Sequence, residues 1–124
     1  MEVKKIWELP VTSTDIVDGG VKLVLHKHAA EMQLEYYDGD NNVLKSSLIF
    51  EAVEAQKYTS EMFTEYVPGT FEYLVEIIGS KWVEQLRKLN REVADYWNFK
   101  HYAIFIKSFG YYEFVAKNYK IVER

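Results

Sequence analysis

The chain contains three histidines, the side chains best suited to zinc binding or to proton transfer near neutral pH. His26 and His28 are one residue apart in a segment that alternates like a strand, so both would point to one face. His101 begins a later apolar segment, and three imidazoles are enough for a zinc site with an open position. Because Lys22 shares the face of the first two and no acidic residue stands at a fixed spacing beside them, we expect no metal and no cofactor.

The run of residues 38–42 (Asp-Gly-Asp-Asn-Asn) has oxygen-bearing side chains at its first, third and fifth positions, as an EF-hand calcium loop does. Such a loop requires glycine at its sixth position and a bidentate glutamate at its twelfth. This chain has Val43 and Ile49 there, and no helical pattern flanks the run. The sequence therefore predicts a turn between two strands and not a calcium site.

Residues 107–114 (Lys-Ser-Phe-Gly-Tyr-Tyr-Glu-Phe) nearly match the aromatic signature with which RNA-recognition motifs stack on bases. That fold requires a further helix and strand after the signature, and only ten residues follow Phe114. We therefore interpret Tyr112 and Phe114 as core residues of a strand and Tyr111 as a residue at its rim. The chain has no nucleophile-elbow serine, no phosphate-binding glycine loop and no zinc-protease helix pattern, so an enzyme is the less favoured class.

Length and composition limit the architecture. With 124 residues, 48% of them hydrophobic, the chain can bury one core, so we expect a single domain over residues 1–124. The absence of cysteine excludes disulfides, thiolate metal sites and a cysteine nucleophile. No apolar run is long enough for a membrane span or a secretory signal, so we expect a cytoplasmic protein that does not contact a membrane.

Charge is unevenly distributed along the chain. Residues 31–79 contain ten acidic residues against Lys45 and Lys57, a sum of -8, whereas residues 80–124 contain five acidic and nine basic residues, a sum of +4. The two regions neutralise each other if they meet in the fold. Otherwise the acidic region attracts a basic partner. Nucleic acid is disfavoured as a ligand because the net charge is -4 and phosphate binding depends on concentrated lysine and arginine.

Alternating apolar residues predict strands along most of the chain. An edge segment before Pro10 is followed by six predicted strands, the first two of which form a hairpin around Ala29 and Ala30: residues 21–28, 31–37, 43 to about 55, 71–77, 102–109 and 111–117. The last two are expected to form a second hairpin.

One helix is predicted between these strands. Ser80 is a suitable N-cap, and large apolar residues follow at steps of four, three, four and four: Trp82, Leu86, Leu89, Val93 and Trp97. The sequence therefore predicts an α+β domain, in which one twisted antiparallel sheet of about six strands is covered by a long amphipathic helix, residues 80–97, before the last two strands.

Four segments of the C-terminal half resemble small bacterial proteins, some of which in turn resemble immunity proteins for polymorphic toxins: residues 74–77, 80–82, 100–104 and 110–116. The resemblance consists mainly of structural positions and includes no catalytic motif. It implies a stoichiometric inhibitor whose acidic surface meets a basic toxin, with buried aromatic residues holding the complex and charge accelerating its formation.

These observations favour a non-enzymatic cytoplasmic binding protein, and specifically an immunity protein that inhibits a basic toxin. The alternative is a small-ligand-binding protein or an enzyme with a pocket between sheet and helix, lined by some of the ten tyrosines. The residues expected to contribute to binding are Glu35, Asp38, Asp40, His101 and Tyr111.

Overall fold

The computed structural model describes residues 2–65, 67–94 and 98–123, with the backbone alone at 93 and 94. Within these ranges the fold is α+β, with strands β1 Glu2–Glu8, β2 Ile16–Leu25, β3 Ala29–Tyr37, β4 Val43–Glu51, β5 Ala55–Thr59, β6 Tyr73–Ile78, β7 Lys100–Ile106, β8 Gly110–Ala116 and β9 Asn118–Glu123. Two helices, α1 Lys81–Leu89 and α2 Arg91–Ala94, connect β6 to β7, and short 3-10 turns cover Ser13–Asp15 and Glu61–Phe63.

The described strands form two antiparallel sheets, so the prediction of one sheet with about six strands is wrong. The first sheet has the order β1-β6-β7-β8-β5 and the second has the order β2-β3-β4-β9. The chain changes sheet between β1 and β2, between β4 and β5, where Ala52 has a φ of +52°, and again between β8 and β9. Strand β1 lies at an edge, which confirms the expectation for the opening segment.

The two sheets share one hydrophobic core. Phe50 of the second sheet stacks on Phe114 of the first, with ring centroids 4.1 Å apart. In β3 buried and less buried residues alternate, so only one face of that strand meets the core, whereas all seven residues of β8 are buried. Tyr112 and Phe114 point into the shared core, as predicted. The first sheet therefore has a second, outer face that is also covered.

The first helix ends earlier than the spacing predicts. Ser80 caps α1 as expected, because its hydroxyl accepts a hydrogen bond from the Val83 N–H at 3.2 Å. The helix ends at Leu89, and Asn90 leaves the helical conformation with φ -147° and ψ 77°. Leu89, the last residue of α1, is 81% exposed, so it does not pack with Trp82 and Leu86 as the predicted stripe requires. Trp97 and the Val93 side chain lie outside the described residues.

One predicted turn, one predicted strand and the end of the chain also differ between the sequence prediction and the structure. The hairpin between β2 and β3 turns at residues 26–28 and not at Ala29, whose carbonyl accepts from the His26 N–H. The predicted strand 43–55 ends at Glu51, and β5 begins in the other sheet. Three strands follow the helices where two were expected, because the tail after Lys117 pairs with β4 as β9.

Candidate functional site

The outer face of the first sheet brings polar residues together from β7 and β8. Residues alternate between faces along a strand, so His101 and Glu113 point away from the shared core, which Tyr102 and Phe114 enter. His101 stands opposite Val115 and Glu113 stands opposite Ala103, which makes the two polar residues diagonal neighbours. Ala103 ends at Cβ, and this leaves room for the imidazole and the carboxylate to meet.

A buried chain of hydrogen bonds connects this face to the start of α1. The Ser80 Oγ lies 2.7 Å from His101 Nδ1, and His101 Nε2 lies 2.9 Å from Glu113 Oε1. All three side chains are buried. The carboxylate can only accept, so Nε2 carries a hydrogen, and in a neutral imidazole Nδ1 then accepts from the Ser80 hydroxyl. The arrangement thus orients one histidine between a hydroxyl and a carboxylate.

Trp82 and Lys57 cover this chain from the solvent side. The Trp82 ring meets His101 edge-on, with centroids 5.2 Å apart and an angle of 80° between the planes. The Lys57 ammonium lies 4.3 Å from the centre of the Trp82 ring and 3.9 Å from Glu113 Oε2. Because the Lys57 side chain is half exposed, we expect its ion pair to contribute little to stability.

Two clefts open on either side of His101. One, of about 320 Å³, lies beside α1 and is lined by Ser80, Arg87 and Lys100 among others. The other, of about 310 Å³, lies under residues 60–65 and is lined by Tyr111 and Glu113 among others. His101 and Ile77 line both clefts. A ligand in either cleft would therefore contact the same histidine.

Tyr111 is buried, so its predicted place at a rim is wrong. Burial, and then the negative charge of Glu113, raise the pKa of its hydroxyl above the ordinary value for tyrosine. Among the described residues this hydroxyl has no hydrogen-bond partner, although it is shielded from solvent. A buried hydroxyl without a partner is costly, and Tyr111 lines the second cleft. Of the predicted binding residues, His101 and Tyr111 are thus brought to one cleft.

The three acidic residues predicted to bind a partner lie in the second sheet instead. Glu35 stands opposite Lys45 in the β3–β4 pair. Asp38 closes the turn that follows: its carboxylate accepts hydrogen bonds from the Asn42 and Asp40 N–H groups at 2.9 and 2.8 Å. These hydrogen bonds lower the pKa of the Asp38 carboxyl, and the one from Asn42 has the larger effect. The run 38–42 is therefore a turn, as predicted, and Asp40 is exposed within it.

The three histidines are not brought together. His26 and His28 lie exposed in the turn after β2, so their predicted place within a strand is wrong, while His101 is buried in the other sheet. No group of three metal-ligating side chains occurs within the part of the chain that the structure describes.

An exposed apolar pair lies next to the second cleft, on the segment of residues 60–65, which we call the strap. Met62 is 84% and Phe63 is 79% exposed. Hydrogen bonds hold the strap in place: the Glu61 carboxylate accepts from the Ser108 N–H, and the Thr64 hydroxyl donates to the Ser60 carbonyl at 2.7 Å. The two apolar side chains are therefore presented to solvent on an ordered turn.

Sequence reasoning recognised Ser80 only as a helix cap and missed its contact with His101, as well as the exposed strap. The period of two in β7 and β8 indicates that His101 and Glu113 each share a face with small or apolar residues, which is a signal for a buried polar pair. No comparable signal links Ser80 to either strand, because 21 residues separate it from His101.

Comparison with known proteins returned nothing: no family model, no curated protein and no solved structure matches this chain. Within the described residues, no helix combines the length and apolar composition that crossing a membrane requires.

Proposed function

We propose that this chain is a cytoplasmic binding protein that recognises a basic protein, as an immunity protein recognises its toxin. The observation that carries the proposal is the strap, where Met62 and Phe63 are exposed between Glu61 and Glu65. Large exposed apolar side chains flanked by charged residues are typical of a protein-binding surface. The partner that fits it has an apolar pocket bordered by lysine or arginine.

The strap is a better anchor than the acidic turn of the second sheet. Asp38 uses its carboxylate to close that turn, so it is not free to pair with a partner. Glu35 already faces Lys45. On the strap the exposed Glu65 stands beside the two apolar side chains, on a turn held by the Thr64 and Glu61 hydrogen bonds, which reduces the ordering cost of binding. Glu35 and Asp40 then act on the association rate alone.

Site-directed photo-cross-linking in the native host tests this proposal. A benzophenone amino acid replaces Met62 in one variant and Leu25 in the control, since Leu25 is 57% exposed and ends β2 in the other sheet. We expect one basic protein to be cross-linked from position 62 and not from position 25. The same products from both positions, no product, or a product of acidic sequence would contradict the proposal.

Kinetics with the identified partner sharpen the result. Phe63→Ser should raise the dissociation rate by about 30-fold, the effect of losing an anchor residue of about 2 kcal/mol. Asp40→Lys should lower the association rate and its dependence on salt while leaving dissociation unchanged. Surface plasmon resonance at two salt concentrations measures both. Equal effects of the two changes on dissociation would argue against Phe63 as an anchor.

A second candidate function is the binding of a small molecule in the cleft under the strap. It is supported by the Tyr111 hydroxyl, which is buried without a partner among the described residues. Tyr111 and Glu113 both line this cleft. Of the described tyrosines only Tyr111 lines this cleft, and none lines the cleft between the sheet and α1, where the sequence predicts them.

A further inference from the structure

The hydrogen bonds of Ser80 match those of an activated nucleophile. Its hydroxyl donates to His101 Nδ1 at 2.7 Å, and His101 in turn donates from Nε2 to Glu113 at 2.9 Å. A nucleophile within reach of a base, with the base oriented by a third group, is the arrangement shared by serine hydrolases of unrelated folds. It is recognised by geometry and roles and not by sequence motif.

The helix cap does not block the oxygen of Ser80. A serine oxygen has one hydrogen and two lone pairs. The hydrogen goes to His101, and one lone pair accepts from the Val83 N–H. The second lone pair is left for attack on an electrophilic carbon.

The surroundings of Ser80 supply a place for the substrate and for the charge that develops on it. Ser80 lines the 320 Å³ cleft beside α1, whose charged lining residues balance: Arg87 and Lys100 against Glu76 and Glu84. The N–H groups of Lys81 and Trp82 are the first of the helix and have no carbonyl partner within it. Such N–H groups stabilise the oxyanion of an acyl-transfer intermediate.

We propose that Ser80 is the nucleophile of an acyl-transfer site for small uncharged esters, with His101 as general base and Glu113 as the residue that positions it. This activity goes beyond partner binding and does not involve the strap. A bond forms between Ser80 Oγ and the ester carbonyl carbon while His101 Nδ1 takes the hydroxyl proton. The carbon–oxygen bond of the leaving group breaks, and the alcohol departs with that proton. Water then attacks the acyl carbon through His101, which releases the acid and restores Ser80.

The test is covalent labelling of the purified chain with an alkyl fluorophosphonate, followed by intact-mass and peptide mass spectrometry. Ser80 Oγ bonds to phosphorus, fluoride leaves and His101 takes the proton. We expect one label per chain, on the peptide that contains Ser80, at a rate at least about 100-fold above that of the exposed Ser108. His101→Gln should lower the rate by about 100-fold.

Two variants separate chemistry from folding. Ser80→Asn keeps an oxygen that can cap the helix, so it should melt as a folded protein and take no label. Ser46→Ala removes another buried serine, one whose hydroxyl bonds to Tyr36, and it should be labelled as fast as the native chain.

Two further variants test the positioning role of Glu113. Glu113→Ala should slow the labelling of Ser80, and Glu113→Gln should restore part of the rate, because the amide oxygen still accepts from His101 Nε2.

Three results would overturn the proposal: no label on Ser80 in the folded chain, labelling no faster than at Ser108, or a rate unchanged by His101→Gln. None of these results bears on the cross-linking from the strap, so the two proposals fail separately.

Discussion

Two polar clusters, one in each sheet, are built on opposite principles. In the turn between β3 and β4 the Asp38 carboxylate finds its donors two and four residues away, at Asp40 and Asn42. On the outer face of the first sheet, the chain from Ser80 through His101 to Glu113 spans steps of 21 and 12 residues. The turn is exposed, whereas the second cluster is buried.

The two clusters differ in whether their polar groups are used up by local structure. In the acidic turn the Asp38 carboxylate accepts hydrogen bonds from Asp40 and Asn42. The polar residues that resemble a calcium loop therefore serve to close the turn. The buried cluster holds a nucleophile, a base and a carboxylate beside two clefts. A group of residues with such different sequence positions meets only if the fold brings it together, and burial then makes each hydrogen bond costly to lose.

The largest effect is expected from Glu113→Ala. It leaves the His101 N–H buried without its acceptor, which should lower the free energy of unfolding by about 1–3 kcal/mol. Urea denaturation measures this, with Glu113→Gln as the matched control that keeps an acceptor. If both variants unfold at the native midpoint, the buried cluster does not tie the helix to the sheet.

Trp82→Ala should have the next largest effect. The Trp82 ring contacts His101 and Lys57 but is only partly buried. We therefore expect the free energy of unfolding to fall by about 2 kcal/mol, and not by the roughly 3–5 kcal/mol that loss of a fully buried ring causes. Leu89→Ala on the same helix should change stability by less than about 0.5 kcal/mol, because that side chain is exposed. Equal losses in the two variants would mean that the helix packs by the longer stripe after all.

Removal of single hydroxyls should separate a satisfied tyrosine from an unsatisfied one. Tyr36→Phe breaks a buried hydrogen bond of 2.7 Å to Ser46 and should cost about 1 kcal/mol. Tyr111→Phe removes a hydroxyl that has no partner among the described residues, so its effect should be near zero or stabilising. Thermal melts of the two variants, measured side by side, provide the check. A larger loss at Tyr111 would show that this hydroxyl has a partner in solution.

The smallest effect is expected at the acidic turn. The hydrogen bonds to Asp38 lower its pKa, so its carboxylate stabilises the folded state at pH values above about 4, the ordinary value for aspartate. That contribution is lost as the pH falls through the lowered pKa. Asp38→Asn should therefore melt slightly below the native chain at pH 7, with the difference vanishing in acid. A difference that grows on acidification would contradict this assignment.

Local features could be read from the sequence because neighbouring residues determine them. The turn at 38–42, the alternation in β3 and the Ser80 cap each depend on residues within about five positions of one another, and the structure confirms all three. The core positions of Tyr112 and Phe114 followed from the period of two in β8.

The end of the helix was harder to predict, since an apolar spacing of 3.6 residues does not require a continuous helix. Leu89 fits the stripe, yet the chain leaves the helical conformation at Asn90 and Leu89 remains exposed. Asparagine is a weak helix former, so its position within the stripe was an indication of a break.

The sequence by itself determined the α+β class, the alternation in β3, the turn at 38–42 and the Ser80 cap, because these follow from side-chain type and short-range backbone preferences. Only the tertiary structure decided that the nine strands of the described residues divide into two sheets and that β8 is covered on both faces. It also decided that Ser80 and Glu113 meet at His101. The physical reason is that strand pairing is set by hydrogen bonds and packing between distant segments, and these leave no periodic signal in either segment alone.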